Sequence, residues 1–146
     1  MSDIREILTK YKTIAMVGVS NDPTKASTIV MKYMQEYGYK VYPVNPRAEG
    51  QKILGQEVFA KISDIKDQID IVDVFRPSKE VYAIAEDTIK IGAKVLWLQL
   101  GIRDYKVTGV QTCTLPISNF DCILCYSIDF FRWSKNIYNI NLIFNI

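Results

Sequence analysis

The chain has 146 residues, 49% of them hydrophobic, which is the length of one domain with enough apolar residues to bury a core. Its formal net charge of +2 is spread over interspersed acidic and basic residues, which excludes a nucleic-acid stripe and a polybasic membrane patch. With 0 histidines it lacks the commonest general base and the commonest metal ligand.

The start, Met1-Ser-Asp-Ile-Arg-Glu6, has neither the basic nor the apolar part of a signal peptide, and no run approaches the roughly 20 apolar residues of a membrane helix. A cytoplasmic protein is expected. Asp3 with Glu6 begins a helix, because Ile4, Ile7, Leu8 and Tyr11 recur at helical spacing. Residues 13–19 are nearly continuous in apolar side chains, as in a parallel strand buried on both faces. After the loop at 20–24, the stripe Val30, Tyr33, Met34 and Tyr37 predicts a helix over 27–37 that Gly38 closes with a left-handed cap.

Residues 40–44 form the second strand, stopped by Asn45-Pro46 and followed by a polar loop holding Arg47, Gly50 and Gly55. Val58 and Phe59 fit either a short strand or a helical turn. Residues 69–75 are the third strand, stopped by Arg76-Pro77, and Ser78 is placed to cap a helix running to residue 91, with Val81, Ile84, Ala85, Thr88 and Ile89 on its buried stripe. Gly92 ends that helix, and residues 94–100 make a fourth strand ending at Gly101. Short right-handed crossovers join these strands, so the fold class is α/β, a doubly wound parallel sheet in a single domain.

From residue 105 the composition changes. The only charged residues there are Lys106, Asp121, Asp129, Arg132 and Lys135, and the stretch 136–146 is built from Asn, Ile, Tyr, Phe and Leu with neither a stripe nor an alternation. Residues 107–118 resemble the translation of a short-read sequencing adapter, from which Thr114 differs by standing where the adapter gives Ala. The expectation is a native domain over 1–104 and a non-native tail over 105–146, with the domain's C-terminal elements missing. All 3 cysteines, Cys113, Cys122 and Cys125, fall in that tail. Cys122 and Cys125 have redox or half-zinc spacing, but no second pair or histidine completes a metal site, so none is expected.

Open parallel sheets bind nucleotides in the crevice beyond their strand ends. Gly18 allows close backbone approach there, while Ser20, Lys25 and Ser27 lie where hydroxyls and an ammonium join the free N–H groups of a helix start. Asn45-Pro46, Arg76-Pro77 and Gln99 gather at the same edge. The loop Gly18-Val-Ser-Asn-Asp-Pro23 has a single glycine where a dinucleotide fingerprint needs three, and the second strand ends without the acid that holds a ribose 2′-hydroxyl. NAD is therefore disfavoured. Lys25, Arg47 and Arg76 are the cations that a ribose carrying an extra phosphate prefers.

Met16-Val-Gly-Val-Ser20, residues 23–27, residues 38–46, Ile53-Leu-Gly55, residues 69–77 and Trp97-Leu-Gln-Leu-Gly101 together resemble the small bacterial and archaeal CoA-binding domain proteins, relatives of the nucleotide-binding domain in the succinyl-CoA synthetase α subunit. The resemblance spans 1–104 and implies a Rossmann-like fold with coenzyme A or an acyl-CoA across the strand ends. It places Gly18, Val19, Ser20, Lys25 and Ser27 around the CoA phosphates, Pro43, Asn45 and Pro46 beside the adenosine, and Phe75, Arg76 and Pro77 along the third strand's exit. Members more often carry Arg at the position of Lys25, so a weaker phosphate contact is implied. They also continue past Gly101-Ile102 with a helix, a strand and a short ending; lacking these, one face of the fourth strand is expected to be uncovered and part of the crevice wall lost, with Trp97 or Leu98 exposed unless the tail covers them.

The function expected is a CoA-binding module with no catalytic residues. Its alternatives are an NAD(P)-binding oxidoreductase-type domain and a non-catalytic subunit of an NDP-forming acyl-CoA synthetase, whose phosphohistidine another chain would supply. Expected partners are CoA or acyl-CoA and a protein partner or second copy, with no nucleic acid, membrane or metal.

Overall fold

The computed structural model describes residues 4–99 and 124–128. In chain order these form α1 (Ile4–Lys10), β1 (Thr13–Val17), α2 (Ala26–Glu36), β2 (Lys40–Val44), the two-stranded hairpin β3 (Lys52–Ile53) and β4 (Gln56–Glu57), then β5 (Ile71–Val74), α3 (Val81–Lys90), β6 (Val95–Gln99) and β7 (Leu124–Ile128). The main sheet runs β2-β1-β5-β6-β7 with every neighbouring pair parallel. The α/β, Rossmann-like, doubly wound class read from the sequence is thereby observed.

Period-two alternation sends Ile14, Met16, Ile71 and Trp97 into a core under α1 and α2, where they meet Leu8, Val30 and Met34. Ala15, Val17, Val72, Val74 and Leu96 face the opposite way, against Ile62, Val81 and Ala85. Because both faces are covered, polar residues have no side on which to alternate, which is why the strands read as continuous apolar runs.

Pro43 sits inside β2 without breaking the sheet. Gly18 N donates to Val44 O on the β1 side, whereas the carbonyl of Pro43 accepts from Phe59 N on the outer side. The missing N–H of proline thus falls on the edge that needs no ladder bond. Phe59 answers the ambiguity at 58–59: it makes a parallel bridge to Val44 and lies edge-to-face on Tyr42 at 5.9 Å between ring centres.

Three local expectations shift. The helix starts at Ala26 with Lys25 as N-cap and leaves Tyr37 as its C-cap. Ser78 opens a 3-10 turn, Ser78–Glu80, so α3 begins three residues later and Ser78 is not its cap. The fourth strand is not left uncovered: β7 pairs with β6 from Val95↔Leu124 to Gln99↔Ile128, and Trp97 and Leu98 are fully buried. An unpaired parallel edge exposes a row of backbone donors and acceptors, and a strand drawn from within 105–146 satisfies them. Asp3, Gly101, Cys113, Cys122 and the adapter-like stretch lie outside the described residues. Among the described residues no helix is long and apolar enough to cross a membrane.

Candidate functional site

The exit of β1 is fixed by Gly18, whose φ is +93°. A Cβ at this position would lie 2.7 Å from Cδ of Arg76 and 3.0 Å from the carbonyl oxygen of Phe75. Glycine is therefore required both by the backbone conformation and by the closeness of the β5 exit. Beyond it the loop is locked by its own hydroxyls: Ser20 N donates to Ser27 Oγ at 3.2 Å, Thr28 Oγ1 donates to Ser20 O at 2.7 Å, and Asp22 N donates to Ser20 Oγ at 3.1 Å. The Asp22 carboxylate accepts from Oγ1 and N of Thr24, and these bonds hold its pKa below the usual carboxylate value. The backbone N–H groups of Ala26 and Ser27, in the first turn of α2, have no acceptor among the described residues.

At the exit of β2, Asn45 is a clamp. Its Nδ2 donates to Val19 O at 2.9 Å, its Oδ1 accepts from Arg47 N at 3.0 Å, and its backbone N donates to Phe59 O at 2.9 Å. It joins the exits of β1 and β2 and opens the 3-10 turn Pro46–Ala48. At the exit of β5, Arg76 donates from Nε and Nη2 to the two carboxylate oxygens of Glu80, both at 2.8 Å. This bidentate pair raises the pKa of Arg76 and lowers that of Glu80.

Between these exits and α3 lies a cleft of about 200 Å³. Its apolar lining comes from Val17, Val44, Pro46, Ala60, Ile62 and Ile84; Asn45, Arg47, Lys61, Arg76, Glu80 and Asp87 supply its polar groups. An apolar cleft with a few convergent polar groups is the ordinary form of a small-molecule site.

Of the site residues read from the sequence, Asn45, Pro46 and Arg76 line the cleft. Gly18 and Phe75 do not line it: Gly18 stands against the carbonyl of Phe75, and the Phe75 ring packs on the core under α1 and α2, while exposed Lys25 stands at the start of α2 with Ser20. Val19, Ser27 and Pro43 are built into the scaffold instead: Val19 is 0% exposed under α2, Ser27 is buried with its hydroxyl accepting from Ser20 N, and Pro43 is buried in β2. Pro77 is exposed. Gln99 turns inward, donating from Nε2 to Asp73 Oδ1 at 2.8 Å. Asp73 is fully buried in β5, its other oxygen has no partner among the described residues, and burial pushes its pKa up to about 7.

Sequence reasoning missed Lys61, Glu80 and Asp87. Glu80 had a signal, the spacing of four from Arg76 just after a strand end. Lys61 had none, because only the Val44–Phe59 bridge brings its segment to the cleft.

The sequence profile of the family described as CoA binding domain matches residues 12–112. The uncharacterized protein YneT of Bacillus subtilis is 40% identical over 101 residues, covering 69% of this chain and 73% of that one. The Acetate–CoA ligase [ADP-forming] I subunit alpha of Pyrococcus furiosus is 34% identical over 95 residues, covering 62% of this chain but only 21% of that subunit. Among solved structures, a hypothetical protein from Pyrococcus horikoshii superposes with a TM-score of 0.78 at 37% identity, covering 92% of this chain and 89% of that one.

Proposed function

The chain belongs to the CoA binding domain family, and from that premise we propose that its strand-end cleft holds coenzyme A or an acyl-CoA and does no chemistry on it. The observation that carries this reading is the cleft itself: an apolar slot at the ends of β1 and β2, with Arg47 and Lys61 on its wall. The adenine stacks in the slot beside Pro46, and the ribose phosphate meets Arg47 and Lys61, neither of which has an ion-pair partner among the described residues. The diphosphate runs past Gly18 toward the free N–H groups of α2 and the ammonium of Lys25. NAD fits less well, since no carboxylate at the end of β2 receives its ribose hydroxyls.

Calorimetric titration with CoA, dephospho-CoA, ADP and NAD tests this. CoA is expected to bind tightest, and equal or absent binding of CoA relative to NAD would overturn the reading. The relationship to the ligase subunit supports a second one, in which a partner chain supplies a phosphohistidine that this chain, with 0 histidines, lacks. A stoichiometric ligase partner in a pull-down is its expected outcome. The boundary at residue 104 is also a proposal, tested by resequencing: an uninterrupted natural reading frame across codons 105–118 would sink it.

A further inference from the structure

We propose that Glu80 is an internal anion of the cleft, a specificity-determining residue that occupies its cationic corner and holds Arg76 away from an incoming phosphate. The inference rests on the nucleotide reading above and names what tunes that site. Arg76 grips Glu80 with two parallel bonds of 2.8 Å, and both side chains line the cleft. A guanidinium holding a carboxylate in a bidentate grip is one that can hold a phosphate in the same way.

The stem of Arg76 is anchored. Its Cδ lies against Gly18, so close that a Cβ there would stand 2.7 Å away. Released from Glu80, the guanidinium would stay at the β1 exit, within reach of a phosphate passing the glycine. The ion pair is also exchangeable, because its side chains are 29% and 36% exposed and water screens their attraction. A ligand phosphate thus competes with Glu80 for Arg76. A ligand carrying only one weakly charged group fails to displace the carboxylate, and the cleft thereby selects ligands with several phosphates.

The test compares the full chain with Glu80→Gln, which keeps the shape and removes the charge. Adenosine 3′,5′-bisphosphate and pyrophosphate are titrated at about 50 mM and about 500 mM salt, with thermal melting as the check on folding. E80Q should bind both probes about tenfold tighter at low salt, with the advantage shrinking at high salt. In the wild-type chain the Arg76 Nε–Hε resonance should move on adding either probe, a readout that holds even where E80Q fails to fold. Equal or weaker binding by E80Q, or an unmoved Arg76 resonance at saturation, overturns the inference while leaving nucleotide binding intact. Pyrophosphate binding by E80Q without bisphosphate binding by either chain supports the inference and overturns the CoA reading. Binding of neither probe to either chain overturns both.

Discussion

The exits of β1 and β5 touch across Gly18 and dispose of their hydrogen-bond donors in opposite ways. At β1 the side-chain hydroxyls of Ser20, Ser27 and Thr28 satisfy the loop itself, so that the donors left over are backbone N–H groups fixed in place. At β5 the donor is a charged side chain that already holds a carboxylate, Glu80. A rigid backbone site needs no rearrangement when a ligand arrives, and a self-paired arginine must first let go. In the proposed CoA site the first would set where a phosphate sits and the second how strong an anion must be to sit there.

The two exits are coupled where they touch, at Gly18. Gly18→Ala puts a methyl group against Phe75 O and Arg76 Cδ at a φ of +93°. Left-handed backbone and overpacking together should destabilise the chain by about 3 kcal/mol or more and abolish nucleotide binding. Denaturant melts and calorimetry check both effects, and an unchanged melt would show that the exits are free to separate.

Below the exits the two strands differ as well, since β1 places Met16 where its partner β5 places Asp73. Burial raises the Asp73 pKa from 3.8 to about 7, so its folded form holds a proton that its unfolded form has lost. The associated stability is fully present below the unfolded value, declines as pH rises between the two values, and is gone above about 7. Asp73→Asn should remove this decline, leaving the variant more stable than wild type at alkaline pH by a few kcal/mol. Melting curves across that range would show it, and parallel pH profiles for the two chains would refute it.

Asn45→Ala should have a smaller effect, about 1–2 kcal/mol, because it removes the bonds to Val19 O and Arg47 N that tie the β1 and β2 exits together. CoA affinity should fall with it as the Pro46-Arg47 wall loosens. Unchanged affinity would mean that the wall is held by Phe59 alone.

Most of the scaffold was legible in the sequence because burial on both faces writes itself as apolar runs, and strand ends are marked by Gly18, Asn45-Pro46 and Arg76-Pro77. The site was legible only in part. Val19 and Pro43 stand beside the marker residues but point into the scaffold, a direction set by strand register that spacing alone does not disclose. The partner of Arg76 and the arrival of Lys61 depend on a turn and a bridge between segments distant in sequence. Pairing of β6 with Leu124–Ile128 was also missed: Cys122-Ile-Leu-Cys-Tyr126 is a short apolar run, but it stands in a stretch that reads as a non-native tail and not as a strand.

The smallest effect separates the two exits most cleanly. Lys25 is the exposed N-cap of α2 and offers a point charge, whereas arginine there would offer a planar fork to the same phosphate. Lys25→Arg adds no charge and touches nothing at the β5 exit, so its gain must come from bidentate geometry at the β1 exit alone. Binding of ligands with a diphosphate should tighten a few-fold, about 0.5–1 kcal/mol, while adenosine 3′-monophosphate, which reaches only the Arg47 wall, should bind unchanged. Equal tightening for both ligands would place the monophosphate at α2 and reverse the orientation proposed for CoA in the cleft.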